Sequence, residues 1–237
     1  MPVISFASSK GGAGKTTSAV ILATTLARNH NVVLIDADPA ERLMSWANKA
    51  ELPTHLTVWN SKGERKIHDE IDIFRKQSEF VIIDLEGAAT RLNAFAMGES
   101  DLVIVPMGDE QPDAEGAIET LAQLSLEAKA LRRDIPVRIL FAKTKAAVKS
   151  RLARSLNAQV RAKIGSFTTE LRERTAYSSL HSLGGSLYEM DPTDVGGLAN
   201  AITNAEDFGK EFLSTINWID THNKEDTTPL EELPHVS

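Results

Sequence analysis

The 237-residue chain has no cysteine, which excludes disulfide frameworks, thiolate metal sites, iron–sulfur clusters and cysteine nucleophiles. A reducing cytoplasm is the expected compartment. No stretch approaches the roughly 18 apolar residues needed to span a bilayer, and residues 1–6, Met-Pro-Val-Ile-Ser-Phe, lack the basic and long apolar regions of a signal peptide. A soluble, non-exported protein is expected. Internal repeats and low-complexity inserts are also absent. What remains, 42% hydrophobic and 25% charged residues, is enough to bury a real core.

The net charge of -7 argues at first against a polyanionic partner, but it averages two unlike parts. Residues 128–163 hold eleven basic side chains against one acid, Asp134, which leaves 15 basic and 32 acidic residues for the rest. Such asymmetry bears on partners more than the total does.

Short β-rich apolar runs alternate with longer helical periods, the pattern of a parallel sheet with crossover helices. Strands are expected at 3–7, 32–35, 56–59, 80–83, 102–106 and 137–142, and helices at 15–28, 114–131, 149–164 and about 195–219. In the last helix Phe208, Phe212, Ile216 and Ile219 share one face, fit for docking on the sheet. After Asp220 the composition turns acidic and Pro-containing. One folded domain over residues 1–220 and an acidic disordered tail over 221–237 are expected.

Directly after the first strand stands Ser8-Ser9-Lys10-Gly11-Gly12-Ala13-Gly14-Lys15-Thr16-Thr17, followed by a helix. The strict G-x-x-x-x-G-K-[ST] template fails at Ser9, yet the chemistry survives without that glycine. Gly11, Gly12 and Gly14 let backbone N–H groups converge on phosphate oxygens, with Ala13 and Thr17 in the same loop and helix start. Lys15 can reach phosphate, and the Thr16 hydroxyl can ligate Mg²⁺. Asp36, Asp38 and Asp84 fall at the C-terminal ends of buried strands, where open parallel sheets bind ligands. A strand-end Asp can equally be the N-cap of the next helix.

Lys10-Gly-Gly-Ala-Gly-Lys15-Thr-Thr resembles the deviant Walker A motif of the ParA/MinD ATPases, with Lys10 at the signature lysine. Over residues 1–215 the resemblance extends to Asp36-Ala-Asp-Pro39, Ile82-Ile-Asp84 and the segment 184–192, and is greatest to short plasmid-partition ParA and VirC-type proteins. It implies an α/β fold: a single P-loop NTPase domain with a twisted, mainly parallel sheet flanked by helices on both faces. It also implies ATP/ADP and Mg²⁺ as cofactors, and an ATP-sandwich homodimer in which Lys10 acts across the interface. Lys15 would hold phosphate, Thr16, Asp36 and Asp84 would serve the metal, and Asp38 would orient the attacking water. Hydrolysis would be slow without a partner.

The sequence departs from the family at Ala40, where Gln often follows Asp-Pro, and at Glu86, an unusual acid in the second switch. No residue is assigned to the base. The basic window would serve non-specific DNA binding, through Lys143, Lys145, Lys149, Arg151 and Arg154; a solvated helix face is the alternative. No helix-turn-helix precedes the first strand, so site selection is expected of a partner. A ParB-like centromere-binding protein would indicate partition on the nucleoid; a relaxase or coupling protein would indicate a VirC-type DNA-transfer role. A MinD-like membrane role is disfavoured by the acidic tail, and a metabolic ligase by the lack of a second substrate constellation.

Overall fold

The structure, a computed structural model, describes residues 1–144 and 151–222. Its centre is β1 (Val3–Phe6), which pairs in parallel with β4 (Phe80–Leu85) on one side and β5 (Leu102–Met107) on the other. Beyond β4 lie β2 (Val32–Ala37) and β3 (Leu56–Asn60); beyond β5 lie β6 (Val137–Thr144) and the two-residue β7 (Leu171–Arg172). The order is β3-β2-β4-β1-β5-β6-β7, and every pairing is parallel. All C-terminal strand ends therefore meet on one edge, and the crossovers diverge around β1, where such sheets bind ligands.

Both faces are covered, as the resemblance implied. Even-numbered residues of β1 and β4, including Ile4, Phe6 and Ile82, pack under α1 (Lys15–Leu26), α2 (Arg42–Ala47), α7 (Thr175–Leu183) and α8 (Leu198–His222). Their odd-numbered neighbours Val3, Val81 and Ile83 pack under α3 (Ile67–Arg75), α4 (Arg91–Gly98), α5 (Gln111–Leu131) and α6 (Arg151–Lys163). Helix α1 is buried almost all round because it lies between the sheet and α8; a Cβ on Gly209 of α8 would stand 2.9 Å from the Thr25 methyl of α1. That double burial explains its Ala/Thr/Leu-rich composition without a charged stripe.

Helix α8 presents Phe208, Phe212, Ile216 and Ile219 to the core, as expected from their spacing, and it runs on to His222. Gly197, at φ 73°, makes the turn into it, so the helix starts three residues later than the periodicity suggested. The tail beyond 222 lies outside the described residues. Phe208 stacks edge-to-face on Phe167 at 5.2 Å and is fully buried. Phe208→Ala should cost about 3–5 kcal/mol of stability, read as a lower urea midpoint.

Candidate active site

The site grows from the loop between β1 and α1. Gly12 (φ 82°) and Gly14 (φ 96°) adopt the left-handed conformation that side chains resist. Gly14 sits at the N-cap of α1, where no side chain caps the helix and the first turn holds no acid. The first N–H groups of α1 thus remain available to an anion, reinforced by the helix dipole. Gly87, after β4, closes on this loop: a Cβ there would lie 3.3 Å from Lys15 Nζ and 3.4 Å from the Gly11 amide nitrogen.

Register explains the charged centre. Asp84 lies level with Phe6 of β1 and Asp36 of β2, and in phase with Phe80 and Ile82, so its side chain takes the α1 face. There Thr16 Oγ1 donates to Asp84 Oδ2 at 2.6 Å. Asp84 is fully buried, and its other oxygen, Oδ1, has no hydrogen-bond partner. Burial pushes its carboxyl up to about 7, aided by Asp36 and Asp38 and opposed by Thr16 and Lys15. Lys15 is itself buried, with Nζ 3.5 Å from the Lys10 carbonyl oxygen. Burial lowers its pKa, against the attraction of Asp84, Asp38 and Glu86. A hydroxyl and an orphaned carboxylate oxygen are the hard donors that Mg²⁺ takes, and an under-compensated ammonium beside them suits phosphate.

Asp36 and Asp38 organise the loop after β2. Asp36 uses one oxygen to accept from Asp38 N (3.2 Å) and the other to accept from Met44 N (2.9 Å), so it braces this loop against the start of α2. Burial raises its pKa. Asp38 accepts from Ala40 N at 2.9 Å and lies 3.7 Å from Arg42. Ala40, at the position where Gln is common, thus contributes its backbone N–H to this loop. The loop after β4 is held by buried Asn93 of α4, whose Nδ2 donates to the carbonyls of Glu86 (3.1 Å) and Ala88 (2.6 Å).

A cavity of about 280 Å³ opens beside Gly14 and Thr17, walled by Ala142, Lys143, Leu171, Arg172, Tyr177 and His181 among others. Thr17 Oγ1 and His181 Nε2 are 2.7 Å apart. Burial, with Lys143, Lys49 and Arg42 nearby, pushes His181 below the ordinary imidazole range.

The basic window divides. Lys143, expected on a DNA face, is exposed, takes φ 55° and donates from Nζ to the Gly12 carbonyl at 2.7 Å, beside the phosphate loop. Arg161 pairs with Glu170 and lies over the Phe141 ring, and Arg133 donates to the Gly98 and Ser100 carbonyls. Arg154 is exposed on α6. Lys145, Lys149 and the Arg151 side chain lie outside the described residues.

Between about pH 4 and 7 the metal-free folded chain keeps the Asp84 proton that the unfolded chain has released, so this group's contribution falls as pH rises through that window and levels off above it. Urea midpoints at pH 5 and 7.5 should therefore differ more in the wild type than in Asp84→Asn.

The VirC1 protein family matches residues 1–192. Protein ParA of Rhizobium radiobacter is 37% identical over 218 residues, 91% of this chain and 98% of that protein. Protein virC1 of the same organism is 27% identical over 155 residues, 58% of this chain and 66% of that one. A Cyanothece McdA variant in complex with ATP superposes with TM-score 0.71 at 17% identity, covering 90% of this chain and 96% of that one, which shows the shared fold. With the glycine loop, Lys15 and the Thr16–Asp84 pair in place, the chain belongs to the VirC1 family within the ParA branch of the ParA/MinD superfamily of deviant Walker A ATPases.

Proposed function

We propose that this protein is a ParA-like ATPase that pairs on ATP, binds DNA without sequence preference and drives DNA partitioning, with hydrolysis stimulated by a partner. The observation that carries the reading is the cluster of buried Lys15 and Asp84 with half-buried Thr16 at a helix N-terminus, in which Thr16 satisfies one Asp84 oxygen and leaves the other without a partner. Phosphoryl transfer consists mostly of positioning and charge stabilisation. The backbone of Gly11–Gly14 would hold the phosphates, with Ala13 in the loop, and Lys15 would neutralise them. Thr16 and Asp84 would hold Mg²⁺ between them, and Asp36 would act by fixing the loop that carries Asp38. When bound, Mg²⁺ would spread the developing phosphate charge. Asp38 would orient water, and Lys10 would reach the phosphates of a second copy. Thr17, His181 and the adjoining cavity would take the nucleoside.

DNA binding would then rest on Lys143, Lys145, Lys149, Arg151 and Arg154. Lys143 is exposed and also donates to the Gly12 carbonyl, so it would stand between this face and the phosphate loop. The partition reading is supported by a ParA relative that aligns along 91% of the chain. A VirC-type role, recruiting transfer DNA to a secretion apparatus, is the second reading, favoured by the family match over residues 1–192. Partners separate the two: a centromere-binding protein in one case, a relaxase or coupling protein in the other. Among the described residues no helix is long and apolar enough to cross a membrane.

A salt-titrated DNA-retention assay with and without ATP tests this reading. Lys15→Ala should abolish ATP binding and ATP-dependent retention together; normal ATP binding would refute the site. Reversing charge at Lys149, Arg151 and Arg154 should spare hydrolysis and flatten the salt dependence by roughly one unit of slope per lost contact; unchanged retention would mark a merely solvated face. Asp38→Ala should keep nucleotide but lose about 100-fold in turnover, as single-turnover assays would show.

A further inference from the structure

Helix α5 holds Lys10 from stem to tip. The preceding Ser9, where the strict phosphate-loop template has glycine, donates from its N–H to Thr120 Oγ1 (2.8 Å) and from its hydroxyl to the Gly116 carbonyl (2.9 Å). Gly116 lets the helix approach: a Cβ there would stand 3.1 Å from Lys10 Cβ. At the tip, Lys10 Nζ lies 2.5 Å from Asp113 Oδ1 in the first turn of α5. The backbone makes room for Asp113, because a Cβ on Gly108 would overlap its other carboxylate oxygen. Side-chain exposures of 40% for Lys10 and 18% for Asp113 describe a pair at the rim, not a buried one.

In the ATP-bound dimer proposed for this chain Lys10 crosses to a second copy, and the role of Asp113 rests on that reading. Reaching across to a neighbour's phosphate would draw the Lys10 ammonium away from its 2.5 Å contact with its own α5. With Ser9 pinned, the loop backbone stays where it is, so the flexible four-carbon stem must swing. We propose that Asp113 is a positioning residue that retains Lys10 on its own subunit, so that nucleotide-driven pairing of two copies requires two Lys10–Asp113 pairs to open. Half-exposed pairs of this kind each bias an equilibrium by a factor of about two, and the two act together in a symmetric dimer. Removing the restraint should lower the protein concentration for half-maximal dimerisation about fourfold.

Two variants release Lys10 by different routes. Asp113→Asn removes the charge. Gly108→Ala leaves every charge in place and displaces the carboxylate; Gly108 does not have positive φ, so alanine fits the backbone there. Sedimentation velocity over a protein dilution series with Mg²⁺ and AMPPNP would compare both with wild type and Lys10→Ala, and thermal unfolding would accompany it. The proposal expects both variants to dimerise at lower concentration than wild type, even if their Tm falls by a few degrees. A pair that serves stability alone would lower Tm and leave the midpoint unchanged or raise it; that result overturns the proposal while a wild-type dimer upholds Lys10 in trans. If no protein dimerises with nucleotide, or if Lys10→Ala dimerises like wild type, the trans reading falls and takes the proposal with it.

Discussion

Everything at the ligand edge follows from burying opposite charges that do not cancel. Lys15 and Asp84 are drawn out of water by the sheet and α1, and burial drives each toward its neutral form. Asp84 has one satisfied oxygen and one orphan. Such a centre is costly in isolation and is relieved by ligands of the matching kind, a polyanion for the lysine and a hard cation for the carboxylate. The surrounding architecture keeps that tension in place. Parallel pairing aligns Phe6, Asp36 and Asp84 at one level, α1 brings Thr16 onto Asp84, and Asn93 and Gly87 press the loop after β4 against Lys15.

The sequence disclosed the parts whose chemistry is local. Glycines, lysine and threonine in one ten-residue run, flanked by a strand and a helix, describe an anion-binding helix start without tertiary knowledge. Short apolar runs alternating with helical periods revealed the parallel sheet with its crossover helices, and the spacing of Phe208, Phe212, Ile216 and Ile219 revealed the docking helix. Asn93, Asp113 and His181 were illegible because topology alone brings them in; Lys10 meets its partner across 103 positions, and Thr17 across 164. Strand β7, with two residues, is too short to show a period.

Lys143 shows what a charge count leaves out. It lies exposed among cations and reads as part of a basic surface, and a left-handed backbone at the end of β6 also brings its ammonium to the Gly12 carbonyl. Arg133 and Arg161 are likewise spent on carbonyl groups and a carboxylate. The cations of this window therefore divide into those that also bind carbonyl or carboxylate oxygens of the fold and those that face outward, such as Arg154.

Helix α5 is 21 residues long, a rod of about 32 Å. Its first turns are fastened to the phosphate loop at Ser9 and Lys10, and its far end carries exposed Leu126 and Leu131. A rod that length, tilted by about 3° about its middle, moves each end by about 0.8 Å. That displacement would carry a 2.5 Å ion pair beyond about 3 Å. A load on the outer end of a rod so fastened would be felt at the ammonium group of Lys10.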